Sequence, residues 1–276
     1  MRTPGVGART FQELLNHYGT PLSALDAVQS GLARRDGWPL PRPTTKKSRP
    51  ELLERTLAYL EQLPTREGAI WYGHPDYPKS LLDWPEPPPL LFYRGFPEAW
   101  KRHPGIAIVG ARQASDAGRT FATHITRELV LSGCTTISGG AMGIDAAVHE
   151  ATIDARGLTI AVIATGIDVV YPAKHTGLFS AIANQGAILT EFFPRTPPVA
   201  SHFPTRNRII AGLSDAIVFI EGTERSGGLI TVRKACAREK KPLFALDNPK
   251  LLQGGAAWLR QHVPGVCSAR HPQHRV

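Results

Sequence analysis

The sequence predicts an α/β fold, a parallel sheet with helices on both faces, preceded by a small, mostly helical domain. Three observations predict it. Beyond residue 105, short β-rich runs alternate with helix-length segments, the pattern of consecutive strand and helix units. The turns that follow several of those runs are crowded with glycine and small polar residues, as tight strand-to-helix exits require. Proline marks a boundary, with 15 of the 24 prolines in the first 104 residues. With domains averaging roughly 150 residues, a chain of 276 is expected to hold two.

The elements follow in chain order. Residues 10–33 and 50–63 space their leucines as helices do, and residues 39–50 form a proline- and lysine-bearing loop between them. Residues 1–84 are therefore expected as the helical domain. Residues 85–104 contain Pro87-Pro88-Pro89, cannot hold a helix, and read as an extended connector. Strands are expected at 106–109, 135–138, 159–164, 187–190, 216–221 and 243–246. Between them, helices are expected at about 118–132, 144–156, 174–185, 206–213 and 228–239. Residues 105–265 make up this second domain, and residues 266–276 read as a basic, solvated tail.

Composition sets the bounds. A hydrophobic share of 42% and a charged share of 20% exclude a disordered chain, a collagen-like chain and a coiled-coil rod. Neither an apolar run of about 18 residues nor a charged-then-apolar leader is readable, so the expectation is a cytoplasmic protein without membrane contact. Cys134, Cys236 and Cys267 are too scattered for a zinc cage or a disulfide framework. The net charge of +9 favours an anionic partner only weakly. Its distribution is +3 over residues 1–104, +2 over 105–249 and +4 over 250–276, so almost half belongs to the end of the chain.

Ligands of such sheets bind beyond the carboxyl ends of the strands, which directs attention to the turns. The first exit is Gly110-Ala111-Arg112-Gln113-Ala114-Ser115, with Ser115 suited to cap the following helix. The second runs Ser138-Gly139-Gly140-Ala141-Met142-Gly143-Ile144-Asp145, and the fifth Gly222-Thr223-Glu224-Arg225-Ser226-Gly227-Gly228. Glycine lets backbone approach a ligand, and N–H groups at helix starts attract anions, so this rim suits phosphate. Arg112 and Arg225 supply forked guanidinium donors. Asp145 reads as a favourable charge at a helix start and His149 as packing or exposed. Arg206 and Arg208, two apart on a helix, point in different directions, one to clamp the fold and the other toward phosphate. Lys174 adds a cation to the rim, and Phe179, one turn later, is either a stacking platform or core. No paired carboxylates, nucleophile–base pair or metal cluster stands out, so neither a catalytic residue, a metal nor a cofactor is expected.

These strings, in this order, resemble the DNA-processing protein A family (DprA, also called Smf). The resemblance is carried by Ile108-Val109-Gly110-Ala111-Arg112, the 138–145 turn, Tyr171-Pro172, Phe203-Pro204 with Arg206-Asn207-Arg208, and Ser226-Gly227-Gly228, and covers roughly residues 4–260. It implies an extended Rossmann-like domain, with a SAM-like domain ahead of it, in a nonenzymatic single-stranded-DNA-binding recombination mediator. Such a protein forms homodimers, displaces single-strand-binding protein and loads the RecA recombinase onto incoming DNA during natural transformation. By the same resemblance the DNA-binding residues are Arg112, Ser138, Gly139, Gly140, Met142, Gly143, Lys174, Phe179, Arg206, Asn207, Ser226 and Gly227. Ala173 separates Pro172 from Lys174, where the lysine can sit directly after the proline in relatives, and the chain is expected to lack the winged-helix domain of many relatives. A nucleotide-binding or nucleotide-cleaving protein of the lysine-decarboxylase-like (LOG) family is the alternative, although its glutamate after the glycine-rich turn is missing at Thr231-Val232-Arg233. An oxidoreductase fits less well, because Gly110 lacks the glycine spacing of a dinucleotide fingerprint.

Overall fold

The computed structural model describes residues 8–19, 21–38, 66–84, 86–101, 104–223, 226–238, 241–246, 256, 259, 261 and 266–269. Three helices open the chain, α1 (Ala8–Tyr18), α2 (Pro21–Ser30) and α3 (Leu32–Arg35), and they pack around Leu14, Ala24, Ala27 and Ala33. Gly19 ends α1 at φ 80°, a backbone state that glycine adopts without penalty. The expected loop at 39–50 and helix at 50–63 lie outside the described residues.

One nine-stranded sheet dominates the rest, in the order β1-β2-β6-β5-β4-β3-β7-β8-β9. Its strands are β1 (Glu67–Trp71), β2 (Leu90–Gly95), β3 (Gly105–Val109), β4 (Thr135–Ser138), β5 (Thr159–Val162), β6 (Ala187–Thr190), β7 (Ala216–Phe219), β8 (Leu243–Leu246) and β9 (Val266–Ala269). The helices along it are α4 (Lys79–Leu82), α5 (Glu98–Lys101), α6 (Asp116–Leu131), α7 (Ile144–Asp154), α8 (Thr176–Gln185), α9 (His202–Leu213) and α10 (Gly227–Arg238). Pairing is parallel from β6 through β9, and antiparallel where β2 meets β1 and β6.

Helices on both faces explain why β3, β4, β5 and β6 are buried at every position rather than alternately. On β3, Ala107 and Val109 join Ile209, Leu213 and Leu229 on the side of α9 and α10. Ile106 and Ile108 meet Phe121, Ile144 and Val148 of α6 and α7 on the other side. A third cluster gathers Phe92, Ile163, Ile182 and Ile188 beside α8. Among the described residues, no helix is long and apolar enough to cross a membrane.

Two sequence expectations differ from this architecture. Residues 85–104, expected as a connector, carry β2 and α5, and the sheet begins upstream at β1 with an antiparallel pair rather than at residue 105. The consecutive prolines end at Pro89, and Leu90-Leu91-Phe92-Tyr93 behind them is a strand-forming run that buries Leu91 and Phe92 completely. Residues 266–269, expected as tail, form β9, which pairs in parallel with β8 from Leu243↔Val266 to Leu246↔Ala269. Val266-Cys267-Ser268-Ala269 holds a single β-branched residue, and its strand state comes from satisfying the open edge of β8.

Strand order reverses at β3, with β4, β5 and β6 to one side and β7, β8 and β9 to the other. A crevice must therefore open beyond the carboxyl ends of β3 and its neighbours, where connections diverge.

Candidate functional site

A cleft of about 470 Å³ occupies that crevice, walled by Gly110, Arg112, Arg206, Asn207, Ser226 and Gly227 among others. Its floor exists because backbones touch. A Cβ on Gly228 would lie 3.0 Å from the Gly110 nitrogen, so the exits of β3 and β7 abut directly. At Gly143, φ is 79° and a Cβ would stand 2.3 Å from the Ala111 carbonyl oxygen, which leaves room for glycine alone. That approach lets the Ile144 N–H donate to Ala111 at 3.1 Å and locks the start of α7 against the β3 exit.

The two helix starts beside the cleft are finished differently. Ser115 caps α6 as expected, its Oγ accepting from the Gly118 N–H at 2.9 Å. The Glu221 carboxylate, 1% exposed, then accepts from the Ser115 N–H at 2.6 Å and the Ser115 hydroxyl at 2.8 Å. The first helix start, expected to be open to phosphate, is thus occupied by the protein's own anion. Helix α10 instead begins at Gly227 on the cleft wall, with its positive dipole end toward the cavity.

Arg112 is exposed and lies over the Phe203 ring, its guanidinium carbon 4.5 Å from the centroid. Arg206 is the opposite case, only 5% exposed although it lines the same cleft. Its Nη1 donates to the carbonyls of Gly139, at 2.7 Å, and Val162, and its Nε donates to Asn207 Oδ1 at 3.0 Å. A Cβ on Gly139 would lie 2.7 Å from both Arg206 Nη2 and Asp145 Oδ2. Burial pulls the Arg206 pKa down to about 10, and the neighbouring Asp145 charge opposes that shift. Burial likewise raises the Asp145 pKa, against the pull of Arg206 and of N–H donors that include Ala141 at 3.3 Å. Arg208 pairs with Glu191, so both arginines of the 206–208 motif clamp the fold. Asn207 Nδ2 donates to the Gly227 carbonyl at 3.0 Å and ties α9 to the start of α10.

Across the wall formed by Arg112 and Phe203 lies a smaller slot of about 80 Å³. Met142, 40% exposed, and Tyr171, 44% exposed, flank it together with Gly139 and Pro172. The Tyr171 and Phe203 rings sit 5.9 Å apart in a tilted arrangement, continuing the stack that begins at Arg112.

Of the residues expected in the site, Arg112, Arg206, Asn207, Ser226 and Gly227 meet in the cleft, while Gly139 and Met142 line the slot. Gly143 shapes the floor from outside the lining. Others lie elsewhere. Ser138 is fully buried, its hydroxyl donating to the Ile108 carbonyl at 2.7 Å. Phe179, 2% exposed, belongs to the core, and its ring packs beneath Gly140, which turns at φ 68°. A ring so enclosed has no free face for stacking. Lys174 is exposed on the short 3-10 turn Ala173–His175 and lines neither cavity. Arg225 lies outside the described residues. His149 is buried, with Nδ1 2.7 Å from the Thr159 hydroxyl. Burial, reinforced by His175 and Arg206, pushes its pKa down to about 3. For Phe203 and Tyr171 the sequence signal is position alone: Phe203 lies one turn ahead of Arg206, and Tyr171 lies in the segment between β5 and α8.

The chain was compared with known proteins. The family of DNA recombination-mediator protein A matches residues 68–268, and a DprA-like N-terminal HHH domain matches residues 1–49. DNA processing protein DprA of Bacillus subtilis is 37% identical over 217 residues, which cover 75% of this chain and 72% of that protein. Protein Smf of Synechocystis is 43% identical over 177 residues, covering 63% of this chain but only 44% of that protein. The X-ray structure of DNA processing protein A from Streptococcus pneumoniae superimposes with a TM-score of 0.76 at 27% identity, covering 98% of this chain and 93% of that one. DNA processing protein A from Helicobacter pylori, solved for its single-stranded DNA binding mode, gives a TM-score of 0.67 at 25% identity, covering 74% and 90%.

Proposed function

Because the chain belongs to the DNA recombination-mediator protein A family, we propose that it binds single-stranded DNA in the cleft at the sheet's switch point. One observation carries the reading: an exposed guanidinium, Arg112, stands on an aromatic ring between the cleft and a smaller, more apolar slot. A single strand offers alternating anionic phosphates and flat bases, and proteins that hold it without reading sequence combine cationic and aromatic surface. In this reading a phosphate lies against Arg112 and the start of α10, and an adjacent base rests beside Tyr171 and Met142. The Helicobacter pylori relative, described for its single-stranded DNA binding, supports it.

The role that follows is that of a nonenzymatic mediator. The protein acts in the cytoplasm as a homodimer, displaces single-strand-binding protein and loads RecA onto incoming strands during natural transformation. We place partner contact and self-association in the 215–260 region, near the carboxyl end of the sheet domain, where Arg233 is exposed on α10. The test is fluorescence anisotropy with a labelled mixed-sequence strand. Arg112→Ala is expected to weaken binding without altering sequence preference and to make the salt slope shallower by about 0.7, the share of one phosphate. Unchanged affinity would remove Arg112 from the site. Charge reversal at Arg233, scored by size-exclusion chromatography and RecA capture, tests the partner surface, and no change in either counts against it.

A further inference from the structure

We propose that Glu221 is a positioning residue for the strand-binding cleft, an internal latch that holds the Arg112 loop in place. The proposal rests on reading the cleft as a strand site. The loop from Gly110 to Ser115 carries Arg112 at its middle and is fastened on both sides of it. On one side, Ala111 accepts from the Ile144 N–H at 3.1 Å. On the other, Ser115 is gripped by both carboxylate oxygens of Glu221, at 2.6 and 2.8 Å, across 106 positions of sequence.

Glu221 has no surface role to explain its charge, since it is 1% exposed. Buried carboxylates are costly unless fully hydrogen-bonded or met by positive potential. Here the compensation comes from the Ser115 donors and the start of the sixteen-residue helix α6. Gly118 is shaped to admit the group, because a Cβ there would lie 2.6 Å from the Glu221 carboxyl carbon. The same residue follows β7 and leads directly into Gly222, so one carboxylate ties the β3 exit to the β7 exit at the cleft. By filling the α6 start, it also confines an incoming phosphate to Arg112 and α10.

Two variants test the latch in the intact chain by different routes. Glu221→Gln keeps the volume, but its amide must donate toward the Ser115 hydroxyl, which already serves Gly118. Gly118→Ala keeps the carboxylate and pushes its flexible tip away. Each is expected to weaken binding of a labelled single strand about tenfold, the scale of one lost charge-assisted bond. Combining either with Arg112→Ala is expected to add less than about a twofold further loss, because the latch acts through that loop. A purely structural role would lower the melting temperature and leave the losses multiplicative. Unchanged or tighter strand binding in both variants, or losses that multiply with Arg112→Ala, would overturn the assignment. A wild-type protein that captures no single strand would defeat the strand reading and the latch together, a result distinct from strand binding indifferent to Glu221.

Discussion

Replacing Arg206 by alanine should unfold the protein more readily rather than subtract one contact from its ligand. The side chain is 5% exposed and bridges the exits of β4 and β5 through the Gly139 and Val162 carbonyls while bonding Asn207. Truncation orphans those acceptors and strands the buried Asp145 carboxylate whose charge it offsets. Breaking one side of a buried charge pair costs about 3–5 kcal/mol. At roughly 2–4 °C per kcal/mol for a domain of this size, the melting temperature should fall by about 10 °C. Arg112→Ala should do the reverse, since its guanidinium makes an exposed stack on Phe203 worth about 0.5–1 kcal/mol. Urea unfolding of both variants, alongside strand anisotropy on the folded protein, separates the roles. Adding Asp145→Asn to Arg206→Ala should restore part of the stability by removing the stranded charge. An Arg206→Ala protein that keeps its stability to within about 1 kcal/mol yet loses the strand would refute the clamp and make Arg206 a ligand.

Other expectations follow from the same geometry. Phe179→Ala should cost about 3–5 kcal/mol in urea unfolding while folded molecules bind strands as before, because the ring is core. Lys174→Ala should change strand affinity by less than about twofold, as an exposed charge away from both cavities does little at ordinary salt. Tyr171→Ala should lose about 1–3 kcal/mol of strand binding with an unaltered salt slope, read by anisotropy across a salt series. His149 is held neutral down to about pH 3, whereas the unfolded chain protonates it near 6.5. The unfolded state therefore takes up a proton the native state refuses, and stability should fall as pH drops through that window. His149→Asn should flatten this part of the curve, and an unchanged slope in pH-dependent unfolding would exclude His149 as its source.

Much of the parallel sheet is legible locally. The apolar run at 106–109, the glycine exit behind it and Ser115 before Gly118 announce strand, turn and capped helix within a dozen residues, and the structure has all three. What escapes is whatever depends on distant partners. β2 finds its place against β6, almost a hundred residues away, and β9 exists only because β8 offers an edge. In the site, Arg112 and the glycines follow from type and spacing, but the fate of Arg206 turns on carbonyls at positions 139 and 162. Glu221 reads as an ordinary strand-ending acid until its partner, Ser115, is seen beside it. Phe179 and Phe203 are the same residue type near the same turns, and only packing decides which ring is enclosed and which carries Arg112.

The most direct test is equilibrium binding of a labelled single strand by the wild-type protein across a salt series, with duplex DNA and adenine nucleotides as competitors. A strand site at this cleft should give binding that weakens steeply with salt, survives excess duplex and is indifferent to nucleotide. Absence of strand binding with clear nucleotide binding would contradict it and favour a nucleotide-binding protein on the same sheet.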